Sequence, residues 1–338
     1  MMADGSFWRD RRVLITGCTG VLGSWLTAKL VELGADVVGL VRDWVPQCQL
    51  ARSGTMERIK VARGSVTDPE VVDRIFAEYE IQTCFHLAAL TVVGVANRAP
   101  VPTFETNVRG TWLMLEAARQ WGRVEQFVLA SSDKAYGSHD TLPYTEDAPL
   151  QGRHPYDVSK SCADLIAQTY ANTYGMPVAV TRCANMYGGG DLNWNRIVPG
   201  TIRSTLLNER PIIRSDGSMK RDYVYVMDIV SAYLTLAEAM QGGAHTGGTF
   251  NFGVDAPRTV LEMVQAIIKL SDHPALEPVI LGNAPNEIQN QYLSSERAHK
   301  LLGWQPQHTL EEGLRETMAW YKEMMNDERH LHLPQVQV

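Results

Sequence analysis

A short apolar run, Val13-Leu14-Ile15-Thr16, leads directly into Gly17-Cys18-Thr19-Gly20-Val21-Leu22-Gly23. Helical spacing follows from Leu22 to Leu33, and Gly34 stops it. A strand that turns through three glycines into a helix brings bare backbone to the positive end of a helix dipole. A pyrophosphate can approach only such a place. The plainer reading is a tight strand–helix turn. It is weaker here, because the strand before, the helix after and the near-terminal position all suit a dinucleotide loop. The loop's Gly17, Thr19, Gly20, Val21, Leu22 and Gly23 are therefore candidate cofactor contacts.

The same rhythm continues along the first half. Apolar runs at Val37–Val41, Ile59–Val66, Thr83–Leu90, Gln126–Ser131 and Val178–Cys183 alternate with helical stretches at Val71–Tyr79, Thr106–Trp121 and Val158–Tyr174. Nearly continuous apolar strands are buried on both faces, and alternation with helices means βαβ units. The expected fold is α/β, a doubly wound, Rossmann-type parallel sheet. After Cys183 the rhythm breaks into turns and prolines, which reads as a smaller α/β lobe for the substrate. Asp228–Met240 looks like a return to the first domain, so the lobes interleave. The expected division is 1–183 plus about 227–253 for the dinucleotide, and 184–226 plus about 254–330 for the substrate. Ala298–Trp304 and Leu310–Met325 read as amphipathic helices, and residues from about Arg329 onward as frayed.

Charge and cysteines narrow the function. Lys and Arg number 31 against 38 Asp and Glu, a net charge of -7, which disfavours a nucleic-acid-coating protein. No apolar run reaches the ~18 residues of a membrane span, and the opening residues lack the apolar core of a secretory signal. The five scattered cysteines form no CxxC pair, so neither a disulfide framework nor a metal site is expected. These features read as a cytoplasmic enzyme with no membrane or nucleic-acid partner.

Two segments carry chemistry. Tyr156 and Lys160 stand four residues apart after Pro155, on one face of a helix. An ammonium beside a phenol is expected to lower the tyrosine's pKa, making Tyr156 a base toward a hydroxyl. The strand Gln126–Ser131 delivers Ser132, Asp133 and Lys134 to the ligand crevice. Ser132 can bond the reacting hydroxyl, and Asp133 with Lys134 makes an acid/base pair. The plainer reading of that pair is a surface ion pair on a turn. His86, His139 and His154 read as structural or surface groups. At the end of the second run, Val41 neither binds a ribose diol nor repels a phosphate, while Arg42 could meet a 2′-phosphate. NAD and NADP both stay open.

At these residues the chain resembles the extended short-chain dehydrogenases/reductases that act on nucleotide-linked sugars. The likeness spans the glycine array, His86-Leu87-Ala88-Ala89, Asn107, Tyr156/Lys160, Arg182–Gly188, Arg221–Asp228 and Leu302-Gly303-Trp304-Gln305-Pro306. Ser132-Asp133-Lys134 is similar to the triplet of sugar-nucleotide 4,6-dehydratases. The opening Phe7-Trp8-Arg9 and Gly23-Ser24-Trp25-Leu26 resemble CDP-glucose 4,6-dehydratases in particular.

The resemblance implies a tightly bound NAD or NADP, touched also by Ser65, Val66, Leu87, Ala88, Ala89 and Asn107. It implies substrate contacts at Thr91, Asn185, Asn193, Arg196 and Arg221, and a homodimer joined through a four-helix bundle. It implies oxidation at C4 through Tyr156, loss of water with Asp133 as acid and Lys134 as base or electrostatic partner, and return of hydride to C6. A 4-epimerase would share only the oxidation, and a non-catalytic dinucleotide-binding scaffold would need none of it. The chain departs from the family at Cys18, where histidine is commoner, and at Ser65, where aspartate is.

Overall fold

The structure, a computed structural model, describes residues 5–283 and 288–327. Its centre is a seven-stranded sheet. The strands lie in the order Thr249–Phe252, Val178–Cys183, Gln126–Ala130, Thr83–His86, Arg12–Thr16, Asp36–Val41 and Lys60–Arg63, and all pairs are parallel. Successive side chains of a strand point to opposite faces. Val13, Ile15 and Phe85 accordingly enter one core with the helices Val21–Glu32 and Val226–Ala239. Leu14, Cys84 and Phe127 enter the other, with the helices Pro69–Glu78, Gly110–Trp121 and Pro155–Tyr174. Burial on both faces is why these strands read as unbroken apolar runs. The strand order reverses between Arg12–Thr16 and Thr83–His86, and a ligand crevice opens at such a reversal.

Three element boundaries differ from expectation in ways that shape the site. The third strand is only Lys60–Arg63. The fourth ends at His86 rather than Leu90, because the amides of Leu87 and Ala88 bond to the Thr16 hydroxyl at 3.1 Å each. The helix expected from Thr106 begins with a π-helical turn, Glu105–Arg109, before the α-helix Gly110–Trp121.

After Cys183 the chain forms short paired strands. Asn185–Tyr187 lies beside Tyr223–Tyr225, and Ile212–Ile213 beside Val279–Ile280. Lys220–Arg221 is flanked by Arg258–Thr259 and Asn290–Gln291, which sets Arg221 opposite Gln291. Between these, Val226–Ala239 returns to the large sheet and Thr249–Phe252 closes its edge. The helices Glu296–Leu302 and Leu310–Asn326 follow, the second opened by a capping box between Thr309 and Glu312. The expected fraying from Arg329 lies outside the described residues. Among the described residues no helix is long and apolar enough to cross a membrane.

Candidate active site

The carboxyl ends of the strands open into one cavity of about 1410 Å³. Eight Lys or Arg side chains line it against four Asp, so an anion meets positive charge there although the chain is acidic overall. Gly17, Thr19, Gly20, Val21, Leu22 and Gly23 form one wall. Gly17 has φ +71, and a Cβ on it would stand 2.9 Å from the amide nitrogen of Ala88. A Cβ on Gly23 would stand 2.1 Å from the Gly17 carbonyl oxygen. Only glycine fits either position, and the bare loop at the start of helix Val21–Glu32 suits a pyrophosphate. Arg42, Ser65, Val66, Leu87, Ala88 and Ala89 line the same part of the cavity. The second strand stops at Val41, and Arg42 Nε donates to Asp43 at 2.7 Å on the rim.

Asn107, a further expected cofactor contact, lies behind this wall. It is buried and absent from the cavity lining. Its side chain accepts from the Leu90 amide at 2.7 Å and donates to the Leu90 carbonyl and to Ser159 Oγ. The π-turn is what aims it there. His86 completes this support. Thr111 donates to the Asn107 carbonyl, so it accepts from His86 Nε2, and Thr16 is left to donate to Nδ1. Burial holds the imidazole pKa down at about 3, which matches a neutral ring with one donor and one acceptor.

The expected catalytic side chains converge. Ser132, Asp133, Lys134, Tyr156 and Lys160 all line the cavity. The Ser132 hydroxyl caps the turn Asp133–Tyr136, accepting from the Lys134 amide and donating to Asp133 Oδ1 at 3.0 Å. Lys160 Nζ donates to the Ala130 carbonyl at 2.9 Å. The expected lowering of the tyrosine by the lysine is corrected. Burial pushes Tyr156 up to about 12 against weaker pulls from Ser132 and Arg196, and burial brings Lys160 down to about 8. Both groups are deep enough that the cost of desolvating a charge outweighs the neighbours.

The expected substrate residues Thr91, Asn185, Asn193, Arg196 and Arg221 also line the cavity. Arg196 pairs with Asp191 at 2.9 Å and reaches Thr91 at 3.2 Å. Tyr321 donates to the Asp191 carbonyl and so anchors this loop to the C-terminal helix. Arg221 is buried, with its guanidinium on the carbonyls of Lys220, Ile288 and Gln289.

This architecture and chemistry have known counterparts. A family model described as GDP-mannose 4,6 dehydratase matches residues 14–317. The chain belongs to this GDP-mannose 4,6 dehydratase family. A CDP-glucose 4,6-dehydratase of Salmonella typhimurium is 32% identical over 97% of this chain and 95% of its own. A dTDP-D-glucose 4,6-dehydratase of Mus musculus is 29% identical over 94% and 90%. Among solved structures, a dTDP-glucose 4,6-dehydratase from Streptomyces venezuelae with NAD and TYD bound has a TM-score of 0.82 and 27% identity, covering 93% of this chain and 98% of that one. A UDP-glucose 4-epimerase from Thermotoga maritima with UDP-glucose has a TM-score of 0.83 and 28% identity, covering 93% and 99%.

Three residues of this family member escaped the sequence reading. Asp157 lines the cavity beside Tyr156, where burial raises its carboxyl pKa and the nearby Lys134 lowers it. Asp164 holds Arg182 in a buried two-point pair at 2.8 and 3.0 Å, fixing the helix behind Lys160 to the strand Val178–Cys183. Gln291 reaches the cavity from the second lobe. Asp157 could have been flagged by its place beside Tyr156. Gln291 had no signal, since its neighbours show no periodicity.

Proposed function

We propose that this protein is a nucleotide-sugar 4,6-dehydratase, acting on CDP-glucose to give CDP-4-keto-6-deoxyglucose. The observation that carries the reading is the turn Ser132-Asp133-Lys134, which sets an acid and an amine beside Tyr156 in one cationic cavity. The identity to the Salmonella CDP-glucose enzyme supports the choice of nucleotide. The likeness to a 4-epimerase concerns the fold and the shared oxidation, and Asp133 is the group an epimerase would not use.

Bound at the glycine loop, with Ser65, Val66 and Leu87 to Ala89 around it, a nicotinamide cofactor would accept hydride from C4, return it to C6, and lend a positive charge that favours the Tyr156 phenolate. The cofactor is NAD or NADP, because Val41 carries no carboxylate and Arg42 and Asp43 neutralise each other. Tyr156 takes the proton of the sugar 4-hydroxyl while Ser132 bonds the same oxygen. Lys160 keeps that end of the cavity polar. The ketone at C4 acidifies C5, whose proton goes to Lys134. Asp133 protonates the 6-hydroxyl, which leaves as water, and C5 regains a proton. Oxidation at C4 and reduction at C6 balance. Arg221 and Arg196 face the diphosphate, and Thr91, Asn185 and Asn193 the sugar and the loop around it.

We assign residues 1–183 and about 227–253 to the cofactor domain, and 184–226 and about 254–330 to the sugar-nucleotide lobe. The placement of Thr249–Phe252 in the large sheet supports this division. The protein is further read as a homodimer through a four-helix bundle. Val101, Phe104, Trp112, Leu165 and Tyr174 leave apolar surface exposed on the neighbouring helices Pro100–Phe104, Gly110–Trp121 and Pro155–Tyr174.

The test is incubation with CDP-, GDP-, UDP- and dTDP-hexoses, read by product mass and NMR. Loss of one water from the CDP sugar is the expected result, and an isomer of unchanged mass would make the protein an epimerase. Asp133→Asn should stop water loss yet still reduce the cofactor transiently. Full turnover by that variant would sink the assignment.

A further inference from the structure

Gln291 belongs to the lobe that follows Cys183, yet its side chain reaches the catalytic turn of the large sheet. Its Nε2 donates to the Asp133 carbonyl at 3.2 Å, and its Oε1 accepts from Lys134 Nζ at 3.1 Å. The residue is 1% exposed, so both ends of the amide are spent away from water. In the short sheet Gln291 stands opposite Arg221. Arg221 is itself clamped by the carbonyls of Ile288 and Gln289, on the segment that leads into Gln291. Arg221, assigned above to the diphosphate, and the residue holding Lys134 are thus neighbours on adjoining strands. Asp157, from the helix Pro155–Tyr174, offers Lys134 a second, charged partner.

We propose that Gln291 is a positioning residue: it aims Lys134 at the sugar and ties that aim to the nucleotide end of the cavity through the Arg221 strand. This rests on the dehydratase reading above. A neutral amide suits the task. It fixes the direction of the amine without favouring the ammonium as a carboxylate would. Asp157 offers a charged alternative, toward which an untethered Lys134 would turn, away from the sugar. The oxidation at C4 does not involve Lys134, and only the elimination half of the reaction needs the tether.

The experiment compares wild type with Gln291→Met, which keeps volume and removes both hydrogen bonds, and with Gln291→Glu. Water loss and the near-ultraviolet absorbance of reduced nicotinamide are followed together. In the Met variant water loss is expected to slow about tenfold or more while cofactor reduction proceeds as before, since small misplacements of a reacting group carry penalties of that order. In the Glu variant the pH profile of water loss moves to higher pH. Separately, pulse acetylation of the substrate-free proteins, read by mass spectrometry at Lys134, should be faster in the Met variant. If both halves of the reaction fall in parallel, or water loss is unchanged, the proposal is overturned. If wild type loses no water from any sugar nucleotide, the dehydratase reading fails instead. The acetylation ratio then decides whether Gln291 holds Lys134, and an unchanged ratio rejects it.

Discussion

At Tyr156 burial outweighs every neighbouring charge, and the phenol titrates at about 12 instead of 10; at Lys160 the same burial acts on a cation and moves it down to about 8. Spacing along a helix shows that two side chains share a face, but not how deep that face lies. That is why the sequence pointed to the pair and mistook the sign of the tyrosine's shift. Asp222 follows the same physics. Burial raises its carboxyl from 3.8 to about 6, against hydrogen bonds from the amides of Val254 and Asp255. The folded state therefore binds this proton more tightly than the unfolded chain. Its stabilising contribution is full below about pH 4 and is lost as pH rises through about 6. Asp222→Asn should flatten the fall in stability between those pH values in denaturant titrations. An unchanged slope would contradict the assignment.

Among the elements, the glycine loop and the helices were legible because their signals are local: bare backbone after a strand, a proline or capping box at a helix start, a glycine at its end. The π-turn at Glu105–Arg109 was not. Its Asn107 bonds to Leu90 and Ser159, partners 17 and 52 residues away. Asn107 thereby holds the segment after His86, whose residues Leu87 to Ala89 line the cavity. Asn107→Ala leaves the Leu90 amide and carbonyl without their side-chain partner. It should cost about 1–3 kcal/mol of stability and weaken cofactor retention. Chemical denaturation and cofactor titration would check both, and a variant as stable as wild type that still holds its cofactor would show the contact to be idle.

For the whole molecule, the exposed apolar side chains of the helices Gly110–Trp121 and Pro155–Tyr174 predict that light scattering gives twice the chain mass. Trp112→Glu combined with Leu165→Glu should bring this to one chain mass with the fold retained, because both side chains are exposed and serve no internal core. A monomeric wild type would refute the dimer. The sequence by itself determined the parallel sheet and the glycine loop and pointed to Ser132, Asp133, Lys134, Tyr156 and Lys160, since each is written in periodicity or in spacing within one element. Only the tertiary structure decided that Asn107 supports the cavity from behind, that burial governs the proton on Tyr156, and that Gln291 meets Lys134 across 157 residues of chain. Depth and long-range hydrogen bonds arise when elements pack, and packing leaves no periodic trace at a single residue.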